Sequence, residues 1–406
     1  MRTVNKNTVL AKPASDCIQL FAMLGVVAIG SIFCNTAAAD SRDQAKRMHD
    51  RLTGVPPAAD VLESMAADIR NNDAESAAYI AMEHPAFYNV TLKNWATPWT
   101  NRERTTFAPL NDYSATVIGM VRDNVPFNDL LSANLVYHAN GASIPGKGTA
   151  PNFSPANNDH YEWLEENGAD LSDESVLQAD AQSNVLDIPA SATAGIMTTR
   201  AAAAAFFVGG TNRAMFRFTL LNHMCNDLEQ VKDITLPPDR VRQDVSRSPG
   251  GDSRIYLNNC VGCHSGMDPM AQAFAYYQFD EESGRMNYTQ GTVQEKYFIN
   301  GQTFNPGFIT PDDGWDNYWR NGQNAALGWD NSLPGAGNGA KSMGRELASS
   351  RTFAACQVKK AFRLVCLRDP SDATDRSQVE SMTDKFQTNY LMKPVFAEAA
   401  AYCKGE

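Results

Sequence analysis

The sequence predicts a mainly α-helical protein. Apolar residues recur at helical spacing in several stretches of its 406 residues, and strict strand-like alternation is scarce. The run Ala201 to Ala205 adds a strong helix former. Hydrophobic residues make up 43% of the chain, which is enough for a sizeable core, and the length suits two or three domains.

The first 39 residues stand apart. Arg2, Lys6 and Lys12 precede the apolar run Ile18 to Phe33, and Ala37-Ala38-Ala39 precedes Asp40. That order is a cleaved Sec-type signal peptide over 1–39, cut after Ala39. The apolar run has 16 residues, short of the roughly 20 that span a bilayer, so no stable membrane span is expected after cleavage. Phe33 is too bulky for the position before a lipidated Cys34. Cleavage removes three basic residues and Asp16, moving the net charge from −11 to −13. Such an acidic chain is not expected to bind nucleic acid. The expected location is periplasmic or secreted.

Residues 40–240 read as a helical N-terminal domain. Val61, Met65 and Ile69 form one stripe, Asp73 is placed to cap the next helix, and Ala77, Ile80 and Ala81 repeat the spacing. Pro57 and Pro85 act as breaks. The stretch Phe127 to Tyr137 continues the helical pattern after Pro126. Gly, Asn, Pro and Asp then crowd residues 138–190, an irregular insertion. Helical pattern resumes at Thr193, and Asn212 to Val231 is amphipathic before Pro237-Pro238. The segment Gly141 to Gly148 approaches a phosphate-binding loop. Gly148, however, stands where a Ser or Thr must hold magnesium, and no buried strand leads into it.

Residues 241–406 hold the motif with chemistry, Asn259-Cys260-Val-Gly-Cys263-His264. Its thiols sit one helical turn apart, so both can form thioethers to one haem, and His264 then becomes the proximal iron ligand. A bare C-x-x-C also suits a redox dithiol or half a zinc site, but a second Cys/His pair at zinc spacing is absent. No other C-x-x-C-H occurs, so the expected cofactor is one haem c. Met343 is the candidate distal iron ligand. It follows the Gly-rich loop from Pro334 and precedes a helix, 79 residues after His264. Met286, His223 and an open position are the alternatives. Arg285 is a candidate propionate partner, and Trp315, Trp319 and Trp329 are candidate covers for the haem edge. The region thus reads as a cytochrome c-like helical haem domain with long irregular loops, the longest over Asn287 to Gly339. Helices follow at about Ser342 to Leu367, Asp375 to Asn389 and Pro394 to Tyr402.

Cys225, Cys356, Cys366 and Cys403 remain after the signal and the motif are set aside. An even remainder in an oxidising compartment suggests two disulfides. On one helix Cys356 and Cys366 lie about 15 Å apart at 1.5 Å per residue, beyond the roughly 7 Å that a bridge spans. The bridges are therefore expected to tie this helix to Cys225 and Cys403.

The stretch Cys260-Val-Gly-Cys-His-Ser-Gly-Met-Asp-Pro269, with Phe274 to Asp280 and Gly284-Arg285, resembles a family of exported, largely uncharacterised monohaem cytochrome-like proteins of planctomycetes and gammaproteobacteria. Gly195-Ile-Met-Thr-Thr-Arg, Gly210-Thr-Asn-Arg-Ala-Met-Phe and Phe353-Ala-Ala-Cys-Gln-Val fit the same family, so the similarity extends over most of the mature chain. It implies a mainly helical protein with a haem-binding C-terminal half. Only Cys260, Cys263 and His264 carry over as functional residues, and no substrate is implied.

The expected function is electron transfer by an exported c-type cytochrome, with a redox partner protein and no catalytic residues. The alternatives are a haem enzyme, a peroxidase or oxygenase with an open distal site, and an envelope binding protein with an attached redox module.

Overall fold

Helices begin where the sequence supplies caps. Asp40 accepts backbone N–H bonds from Arg42 and Asp43 to open Ser41–Thr53, and Gly54 closes that helix at φ 75°. The carboxylate of Asp73 caps Ala74–Met82 through the Ser76 N–H. Met65, Ile69, Ala77 and Ala81 are buried, as the helical spacing requires. This computed structural model describes residues 40–405, so the expected signal, 1–39, lies outside the described residues.

The protein is mainly helical. Ser41–Thr53, Ala59–Arg70 and Ala74–Met82 pack on one another, and the first and third of them also pack on Met392–Tyr402 near the other end of the chain. Arg47 and Arg51 donate to the carbonyls of Lys404 and Cys403, tying the first helix to the last residues. The described residues form one compact unit, and its main core takes side chains from both sides of the boundary expected near residue 240. Among the described residues the strands form four two-stranded antiparallel ribbons. No described helix is long and apolar enough to cross a membrane.

Several expected elements take another form. Phe127 to Tyr137 is a short turn, Phe127–Asp129, followed by the strand Val136–His138, which pairs with Gln178–Asp180. Tertiary packing decides this: the Tyr137 ring lies over Gly119, where a Cβ would come within 2.2 Å of it. The region 138–190 is more ordered than an irregular excursion, with the helix Asp159–Glu166 burying His160, Tyr161 and Leu164. Its phosphate-loop-like segment is a hairpin pairing Ser143–Ile144 with Gly148–Thr149.

The helix expected over Asn212 to Val231 runs only over Arg213–Thr219 and a wider turn, Leu220–Met224. It stops at Cys225, which is left-handed at φ 53° and bonded to Cys356. The helix expected at 342–367 is two, Gly339–Ala348 and Arg351–Cys366, because Ser350 leaves the helix and caps the second through the Phe353 N–H. The second bridge joins Cys366 to Cys403.

Candidate functional site

The motif enters a helix through a distortion. Asp252 caps Ser253–Ile255, the wider turn Tyr256–Cys260 follows, and the regular helix Val261–Ala271 begins beyond Cys260. Wide turns of this kind insert a residue and turn the side chains that follow. The segment 228–234 lies along the amino end of this motif helix. The Asp233 N–H donates to the Gly262 carbonyl at 2.9 Å, and a Cβ on Gly262 would stand 3.2 Å from Ile234. Gly266 faces Trp319 on another side, where a Cβ would come within 2.0 Å of the indole nitrogen.

Cys260 and Cys263 are free thiols and partly exposed. Cys260 packs against Val241, Val245, Tyr256 and Val261, a small apolar cluster separate from the main core. The Cys263 thiol donates to the Leu228 carbonyl at 3.6 Å. Burial pushes the Cys263 pKa up, Glu229 adds to the rise, and Lys232 opposes it.

His264 is fixed by charge behind it. Its Nδ1 lies 3.2 Å from Asp268 Oδ1, four residues on, and the Asp268 side chain is fully buried. Arg213 donates to both Asp268 oxygens, at 2.7 and 2.9 Å, and to both oxygens of Asp244, at 2.6 and 2.9 Å. Arg242, 2% exposed, stands 3.7 Å from Asp268 and 4.9 Å from the Tyr297 ring centroid. Burial alone would raise the Asp268 pKa, but Arg213, Arg242 and His264 hold it well below the carboxylate range. The spacing places His264 and Asp268 four residues apart, on one face of the helix.

The other candidates are dispersed. Met343 is fully buried in the main core, and a Cβ on its neighbour Gly344 would collide with the Leu131 carbonyl and crowd Met197. Met286 is buried in the strand Arg285–Tyr288. His223 is fully buried, its Nε2 2.6 Å from the Tyr113 hydroxyl. Arg285 pairs with Asp187 at 2.5 Å. Trp315, Trp319 and Trp329 are core residues, and Trp319 packs on the motif helix.

Among the described residues, no three or more His, Cys, Asp or Glu side chains gather to hold a metal ion. This corrects the expectation of a haem c. The donor set at the motif comes down to two thiols and the one imidazole that Asp268 engages, while Met343 is sealed in the main core. No protein-family model, curated protein or solved structure matches the chain.

The site's supporting residues were only partly visible in sequence. Asp268 stands four residues beyond His264, a spacing that brings two helical side chains together. Arg213, Asp244 and Arg242 arrive from distant segments and carry no local signal. The arrangement that remains is a dithiol at a helix start, with an imidazole held by a buried carboxylate. Such a dithiol can be oxidised to a disulfide as another disulfide is reduced.

Proposed function

We propose that this chain is an exported thiol-based redox protein that exchanges electron pairs with a partner protein through Cys260 and Cys263. One observation carries the reading. The other four cysteines of the described residues are paired in bridges, and these two are free, three apart at the start of a helix and partly exposed. The expected signal over 1–39 and the two bridges suit an oxidising compartment.

In the proposed step one thiolate attacks a sulfur of the partner's disulfide, forming a mixed disulfide and releasing one partner thiolate. The second thiolate then attacks the mixed disulfide. Cys260–Cys263 is left oxidised and the partner carries two thiols, having received two electrons and two protons. His264, oriented by Asp268, follows Cys263 directly in sequence.

The test is equilibration of the purified mature chain in glutathione buffers of graded potential, with thiols counted by mass spectrometry after alkylation. The reading expects one two-electron transition involving Cys260 and Cys263, absent from Cys260→Ser. It is overturned if the two thiols stay reduced at every potential, or if the intact mass shows a covalent group already attached to them.

A further inference from the structure

A second site lies along the helix Arg351–Cys366. A cavity of about 610 Å³ opens between this helix and the segment 221–230, a size within the range of small-ligand sites. Four basic side chains line it, Arg104, Lys359, Lys360 and Arg363, and none of them pairs with a carboxylate among the described residues. Of the acids lining it, Asp227 is engaged by Arg217 at 2.6 Å and Glu229 by Lys232 at 3.0 Å, which leaves Asp369. In a chain of net charge −11, this concentration of basic side chains without carboxylate partners runs against the composition.

Lys360 stands at the base of the cluster. Its Nζ donates to the Asn222 carbonyl at 2.7 Å and lies 3.5 Å from the Trp99 ring centroid, so the amine already covers the indole face. Burial pushes this amine well below the ordinary lysine range, and Arg104 pushes the same way. Like charges held together in a partly desolvated space cost free energy that a bound anion would relieve. Ammonium and guanidinium donors around one space form charge-assisted bonds to carboxylate or phosphate oxygens.

We propose that this cavity binds a small dianion through its carboxylate or phosphate oxygens, with Lys360 at the base and Arg104, Lys359 and Arg363 at the mouth. The proposal does not depend on the dithiol reading, since it uses neither Cys260 nor Cys263.

Calorimetric titration of the full mature chain with inorganic phosphate, and separately with malonate, tests it, with sodium chloride at matched ionic strength as the control. Saturable one-to-one binding of at least one probe is expected. The double variant Lys359→Gln/Arg363→Gln should weaken that binding at least tenfold. Both positions are exposed, so its unfolding temperature without ligand should stay unchanged. Binding of phosphate alone identifies a phosphate-type ligand, and binding of malonate alone a carboxylate. The proposal is overturned if neither probe saturates, if chloride reproduces the response, or if the double variant binds as tightly as the parent.

Discussion

His264 Nδ1 and Asp268 Oδ1 stand 3.2 Å apart, four residues apart on the motif helix. The same buried carboxylate takes both donors of an Arg213 fork, so the imidazole is anchored to a charge network and not to a freely rotating side chain. Asp268 thereby links the partly exposed motif to Arg213, 55 residues upstream.

Asp268→Asn should destabilise the fold by about 3–5 kcal/mol, because Arg213 and Arg242 lose their shared buried counter-charge. Urea unfolding at neutral pH measures it. A loss below about 1 kcal/mol would show that Asp244 alone suffices for Arg213.

The pH dependence follows from the same residue. Its folded pKa is depressed, so its contribution is fully present above the unfolded carboxyl value of about 3.9 and is lost as pH falls through the folded value. Stability of the parent should therefore fall as the pH drops below about 5. Asp268→Asn should show a flatter acid limb in the same urea series.

Cys263 should react slowly as a thiol. Burial and Glu229 raise its pKa, so less thiolate is present at a given pH. In a Cys260→Ser background, Glu229→Gln should speed alkylation of Cys263 by bromobimane and Lys232→Gln should slow it. Stopped-flow rates across pH 7–10 read both, and the same rate in all three proteins would refute the electrostatic account.

Gly266→Ala sets two effects against each other. Replacing Gly by Ala inside a helix ordinarily gains up to about 1 kcal/mol. Here the new methyl would come within 2.0 Å of the fully buried Trp319 indole, an overpacking that costs about 1–3 kcal/mol. A lower thermal midpoint is expected, with a red-shifted tryptophan emission if Trp319 is displaced.

Removing the Cys366–Cys403 bridge by a double alanine substitution should cost about 4 kcal/mol, the loop-closure value for its separation of 37 residues. Cys403 ends the helix Met392–Tyr402, and its carbonyl accepts from Arg51. Hydrogen exchange should therefore rise both in that helix and in Ser41–Thr53. An increase confined to the last helix would mean that the two ends are held independently.

The sequence by itself determined the helical class, the stripe of Met65 and Ile69, the cap at Asp73 and the spacing of two thiols one helical turn apart. Each of these depends on spacing within one segment, where 3.6 residues per turn converts order into proximity. Only the tertiary structure decided that Phe127 to Tyr137 turns into a strand, since the Tyr137 ring settles on Gly119. It also decided that Met343 belongs to the core, that Arg213 and Asp244 stand behind His264, and that four basic side chains meet around one cavity. These relationships join residues tens to hundreds of positions apart. Their partners are set by how helices pack, and no local periodicity encodes that.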